Sequence, residues 1–263
     1  MREIFLKIFG EHPSNEVTKI SMFSWHHIIY LVLIIGAIVA LSLIYFSKSN
    51  ARKERVISII AIITLVTYLG DFFLQPFYNG GTIDVNGEMI LDKLPFHICT
   101  VMCPLIIISR FTKIGKGIKT PIVTLSIVAP LMWLIFPGTA LNSSQSAFSY
   151  EVIQLFLYHG LVFIYGCLSL TLNETHLEIK KVYKEAICIV GIALWATLGN
   201  LVYSCTSHDY NWFFLKDPVF SFIPKAINPF VVVVIFFLSS LVVYGVYYLV
   251  KYIIRKKSLN VTK

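Results

Sequence analysis

The chain is 263 residues long, 57% hydrophobic and only 14% charged, with a formal net charge of +8 and a mean hydropathy of +0.76. A soluble domain needs a far more charged surface, so this composition excludes one. The basic excess would suit nucleic acid, but it is spread over alternate loops instead of gathered into a patch, so no nucleic-acid partner is expected.

Residues 1–23 form a short lead-in. MREIFLKIF places apolar residues at 1, 4, 5, 8 and 9, a helical stripe suited to lying on a membrane surface. Its apolar part is too short and too polar for a signal peptide. Seven apolar segments follow, predicted as spans near 24–46, 56–78, 94–111, 119–137, 150–172, 182–205 and 227–253. Runs of about 18 or more such residues can cross a hydrocarbon core of roughly 30 Å. Inside lipid every backbone polar group needs a partner, and continuous rather than alternating apolar runs select helices over a barrel. The expectation is an all-α polytopic membrane protein, a seven-transmembrane-helix bundle forming a single domain over 1–263. The third span is the least apolar and the fourth is split by Pro130, so a count of six stays open.

Between the second and third spans, Asn86-Gly87 sits in TIDVNGEMIL and reads as a hairpin, either a small lid or a plain turn. The connection before the last span, SHDYNWFFLKDPVFSFIP, is rich in aromatics and broken by Pro218 and Pro224. Such a stretch suits an interfacial belt, as a re-entrant or surface-lying segment. Loops 1–2, 3–4 and 5–6 and the C-terminus from Lys251 hold 16 of the 22 Lys and Arg residues. This alternation places the N-terminus out and the C-terminus in, across a cell membrane. The basic side would meet anionic lipid head groups.

Polar groups are costly inside spans and therefore informative. His26 and His27 fall in the outer end of the first predicted span, Asp71 and Gln75 in the outer half of the second. His97 and Cys99 open the third. Gln154 and His159 occupy the outer half of the fifth, and Asn200 that of the sixth. Counting about 1.5 Å per residue puts Cys99 roughly 8 Å deep and His159 roughly 13 Å deep. This agreement in depth reads as a polar cavity open to the outer leaflet; the bland alternative is helix-to-helix glue. His97 and Cys99 are two apart and face different ways on a helix, so a base for the thiol must come from another span, and His159 has the right depth. An imidazole that takes the thiol proton makes a strong nucleophile without a metal or cofactor. Asp71, Gln154 or Asn200 would orient the imidazole or polarise a carbonyl. Cys99 and Cys103 share a face but lack further ligands at metal spacing. The remaining cysteines, Cys167, Cys188 and Cys205, read as apolar packing. No mid-span Lys is present to form a Schiff base.

At LPFHIC (94–99), YHG (158–160) and NWFFLKDP (211–218) the chain resembles the YwaF-like bacterial integral membrane family. The elements carrying the resemblance are Leu94, Pro95, His97 and Cys99, then His159, then Asn211, Trp212, Phe214, Leu215 and Pro218. That family is in turn similar to a eukaryotic transmembrane acyltransferase for ether lysophospholipids, which uses a Cys and a His on separate helices about sixty residues apart. A more distant similarity is to threonine-dependent membrane hydrolases, and Thr100 adjoins Cys99. The resemblance implies acyl transfer between membrane lipids, with Cys99 as nucleophile and His159 as base. His97, Asp71, Asn200, Gln154 and His27 would support the substrate. The alternative is a transporter or solute-binding component using the same cavity without catalysis. A third reading is a scaffold whose polar groups only join helices.

Overall fold

The computed structural model describes residues 20–78, 94–137, 147, 150–204, 210–218 and 222–261. The 1–9 stripe, the Asn86-Gly87 hairpin and Cys205 lie outside these residues. The described residues form seven α-helices: α1 (Trp25–Phe46), α2 (Asn50–Tyr78), α3 (Ile98–Phe111), α4 (Lys119–Ile135), α5 (Tyr150–Thr171), α6 (Tyr183–Val202) and α7 (Asn228–Val261). No strand occurs among the described residues. Among the described residues five stretches, within α1, α4 with its preceding turn, α5, α6 and α7, are long and apolar enough to cross a membrane. Helix α3 has only 14 residues. Helix α2 opens on the charged run Arg52, Lys53, Glu54, Arg55 and holds Asp71.

The helices follow the predicted spans with instructive differences at their ends. Helix α3 starts at Ile98, not near 94, because Pro95 disfavours helical backbone at Leu94 and His97 takes the N-cap position. Helix α4 runs through Pro130 unbroken. Proline strands one carbonyl there, that of Ser126, whereas ending the helix in an apolar medium would strand several. Helix α7 continues to Val261, well past the predicted end.

Helix α5 is the hub. Of its apolar stretch 67% is buried, against 11% for α1 and 22% for α7. It packs most extensively on α4, then on α2 and α1. Glycine permits this closeness: a Cβ on Gly166 would lie 2.7 Å from Ile127 Cγ1 and 3.0 Å from the Val123 carbonyl oxygen, and one on Gly160 would lie 2.8 Å from Ile34 Cγ1. Small residues at helix crossings are the usual means of packing without a water-driven hydrophobic effect. The outer surface is apolar instead of charged: Leu43 and Phe230 are 74% and 73% exposed, as lipid-facing residues are.

One end of the bundle is tied by charge. Arg110, in the last turn of α3, donates from Nη1 to Glu174 Oε1 at 3.2 Å, from Nε to Ser58 Oγ at 2.8 Å and from Nη2 to the Glu54 carbonyl at 2.6 Å. Lys119, at the start of α4, also reaches Glu174 Oε1. The cluster thus joins α2, α3, α4 and the turn after α5. At this same end the exposed Lys181 ammonium holds the Glu178 carboxyl below the usual carboxylate range.

Two variants test this packing. Gly166→Ala must displace a backbone carbonyl and should cost about 1–3 kcal/mol, seen as a lowered Tm in detergent, while Gly245→Ala, with open space at its Cβ, leaves Tm unchanged. Glu174→Gln leaves the buried Arg110 short of its countercharge and should cost about 3–5 kcal/mol.

Candidate functional site

The end of the bundle opposite Arg110 is built on the first turn of α3. A helix start leaves amide N–H groups without intrahelical partners. His97 answers one of them: its Nδ1 accepts from the Cys99 amide at 3.4 Å, so the hydrogen of the neutral ring sits on Nε2. The Thr100 hydroxyl lies 3.0 Å from both the Leu94 and His97 carbonyl oxygens, tightening the preceding turn. Cys99 is half-buried and Cys103, one turn on, is buried. Both sulfurs belong to the same face of α3.

Helix α5 meets this turn through Tyr158, whose hydroxyl donates to the Cys99 carbonyl at 2.7 Å. The next residue, His159, is 5% exposed and lies flat on Trp133 of α4, with ring centroids 3.9 Å apart and planes 10° from parallel. Its Nδ1 is 2.7 Å from the Leu155 carbonyl. A carbonyl can only accept, so Nδ1 donates and the neutral ring carries its lone pair on Nε2. That is the tautomer a general base requires.

The third element is the turn Trp212–Phe214, and it is held by asparagine amides. Asn200 of α6 accepts from the Trp212 amide at 2.9 Å and donates to the Trp212 carbonyl at 3.1 Å. Asn228, at the start of α7, donates to the Phe214 carbonyl at 2.5 Å. Asn211 binds the backbone of Lys216 and Asp217. Phe213 and Phe214 are held at φ of 59° and 55°, a conformation that costs a bulky residue about 1–3 kcal/mol. The turn then presses onto the start of α3: Trp212 lies 4.9 Å from Phe96 and Phe214 lies 5.1 Å from His97, ring to ring. Gly199 makes room for this, since a Cβ there would lie 2.4 Å from the Phe96 ring. Just beyond the turn, the Lys225 ammonium, 2.5 Å from Asp217, holds that exposed carboxyl below the usual range.

The residues singled out from sequence therefore fall into two groups. Cys99, His97 and the Trp212–Phe214 turn meet at one place, and Tyr158 brings the α5 turn of His159 against it. Asp71 is buried in α2, one turn beyond Tyr68, whose ring is 5.8 Å from that of Tyr158. Gln154 is buried one turn before Tyr158. His27 and Asn200 are bound to backbone instead. His27 Nδ1 accepts from the Phe23 amide at 3.0 Å and its Nε2 donates to the Leu134 carbonyl at 2.8 Å, joining α1 to α4. Asn200 spends its amide on Trp212.

Sequence reasoning passed over Tyr158, Trp133 and Tyr68. A Tyr or Trp within an apolar span looks like bulk, and only the adjacency of Tyr158 to His159 marked it. Among the described residues no group of three or more His, Cys, Asp or Glu is placed to hold a metal ion.

Removing the side chain of Asn200 tests the anchoring of the turn. Asn200→Ala leaves the Trp212 amide unbound, leaves its carbonyl with only the long 3.5 Å bond from the Leu215 amide and releases a strained turn, at a cost of about 2–4 kcal/mol. The expected readouts are a lowered Tm and an increased accessibility of Trp212 to an aqueous fluorescence quencher.

In comparison with known proteins, residues 22–250 match the model of the TMEM164 family. No curated protein and no solved structure matches the chain.

Proposed function

The chain belongs to the TMEM164 family, and from that premise we propose that it is a membrane-embedded acyltransferase acting on phospholipid or lysophospholipid, with Cys99 as nucleophile and His159 as base. The observation that carries the reading is the hydrogen bond from Tyr158 to the Cys99 carbonyl. It seats the His159 turn against the turn that bears the thiol. The bond from His159 Nδ1 to Leu155 supports it further by leaving the lone pair on Nε2. The resemblance to the YwaF-like family and to the eukaryotic Cys/His acyltransferase points the same way.

His159 Nε2 takes the Cys99 proton, and the thiolate attacks the carbonyl carbon of a lipid ester. The oxyanion collapses, the ester C–O bond breaks, and the lysolipid leaves with the proton from the imidazolium. A second lysolipid hydroxyl, its proton passed to His159, attacks the acyl-thioester. The C–S bond breaks and the thiolate recovers its proton. Water in place of that hydroxyl yields a fatty acid and makes the protein a hydrolase. The first turn of α3, where a helix start presents its amide N–H groups, would supply the donors for the oxyanion. In this reading Asn200 positions the Trp212–Phe214 turn over His97, and His27 fixes α1. Asp71 and Gln154 line the approach.

The same reading takes all seven helices as spans, with the Arg110 end facing the cytoplasm. That end gathers the basic loops, which would rest on anionic head groups. Purified protein in lipid vesicles tests the chemistry. Cys99→Ala should abolish acyl exchange between phospholipid and lysophospholipid, and His159→Gln should lower it by about 10²–10⁴-fold. Equal exchange in wild type and Cys99→Ala overturns the proposal.

One observation favours a transporter instead. Glu185 is fully buried between α6, α4 and α7, with Oε1 accepting from Tyr244 at 2.9 Å and Thr124 at 3.3 Å. Polar groups therefore continue toward the Arg110 end, as a conduction path requires. Proton-coupled uptake that survives Cys99→Ala but fails in Asp71→Asn would establish that reading.

A further inference from the structure

Helices α3 and α6 do not close on each other along their whole length. Between them runs a slot of about 400 Å³. On the α3 side its wall is Val101, Pro104 and Ile108, spaced three and four apart and therefore one stripe. On the α6 side it is Cys188, Gly191 and Trp195, with the same spacing. Each stripe runs from end to end over about 10 Å of helix, and Pro95 prolongs the slot beyond Val101. The concavity has a local cause. Gly191 has no side chain, and nothing lies within 4 Å of the place its Cβ would take.

We infer that this slot holds a single hydrocarbon chain of a membrane lipid. Its walls carry no charged side chain. The polar hydrogen of Trp195 is already donated to the Pro95 carbonyl at 2.7 Å, so nothing on the side chains asks for a polar ligand. The slot flanks α6, one of the helices long and apolar enough to cross a membrane, so the medium that reaches it is acyl chain and not water. The volume falls in the range of small-ligand sites, about 300–1,000 Å³. A slender flexible hydrocarbon chain suits a slot of this length and apolar lining.

The site is separate from the Cys99 face. Cys99 stands two residues before Val101, roughly 200° around α3 at 3.6 residues per turn, and on the side met by α5. The chain held here is therefore bound whether or not Cys99 reacts. Cys99→Ala should leave it in place, so the two proposals fail separately.

Photolabelling reads the slot directly. The full-length protein, purified and reconstituted in phosphatidylcholine vesicles, is illuminated with a phosphatidylcholine bearing a diazirine in one acyl chain. Adducts are then mapped by peptide mass spectrometry. Residues 101–108 and 188–195 should carry several-fold more label than the lipid-facing surface of α1 around Leu33 and Leu43, both exposed. Gly191→Leu fills the slot without a clash and should remove that excess. Gly36→Leu, at an equally open glycine of α1, should not change it. The α1 label serves as the internal measure of folding in every variant. Label in the slot no higher than on α1, or an excess that persists in Gly191→Leu, overturns the inference. So does crosslinking of Cys188 to a second copy with no lipid label, which would assign the slot to an interface between chains.

Discussion

A helix of 14 residues rises about 21 Å, while the hydrocarbon layer is about 30 Å thick. Helix α3 is therefore shorter than such a layer, and its first-turn amides need partners from the chain that flanks it. Amide groups cannot be left bare in an apolar medium, so the rest of that end of the bundle is arranged to cover them. His97 folds back onto the Cys99 amide, Thr100 gathers the carbonyls of the turn before it, and the Trp212–Phe214 turn closes over the top. The asparagines that hold this turn, its left-handed phenylalanines and the missing Cβ of Gly199 all serve the closure. The half-buried thiol at the second position of α3 follows from the same shortfall in length.

The opposite end solves a different problem. There the last turn of α3 carries Arg110, whose guanidinium has enough donors to serve α2 backbone, a serine and a carboxylate at once. Between the two ends α5 supplies the packing, with glycines where α1 and α4 come closest. The two halves of the molecule thus use different currencies, aromatic stacking and amide hydrogen bonds at the Cys99 end and ion pairing at the Arg110 end. Glu185 is the exception, a carboxyl near the charged end held by hydroxyls alone.

Much of the architecture was legible in the chain. Apolar runs located the seven helices of the described residues, five of which hold stretches long and apolar enough to cross a membrane. The start of α3 was misplaced by a few residues, since hydropathy registers Leu94–His97 as apolar while Pro95 and the cap decide the backbone. Pro130 was read as a break and is not one, because a lipid environment penalises ending the helix more than losing one bond. The aromatic NWFFLKDP stretch was read as an interfacial segment, re-entrant or surface-lying; its docking as a tight turn on Phe96 and His97 depends on tertiary neighbours no local pattern reports. That His27, Asn200 and His159 sit within apolar helices was readable, but their partners were not. His27 and Asn200 turn out to bind backbone, and the tautomer of His159 rests on the carbonyl of Leu155. Polar residues in spans announce that they have partners without naming them.

The pairing of Arg110 with Glu174 carries a consequence for how the protein is made. The two residues are 64 apart in the chain, and α4 and α5 lie between them. When α4 is being made, Arg110 can already meet Ser58 and the Glu54 carbonyl of α2, but not Glu174. Its socket is complete only once the turn after α5 exists, so the pairing of neighbouring helices and this closing ion pair belong to different points along the chain.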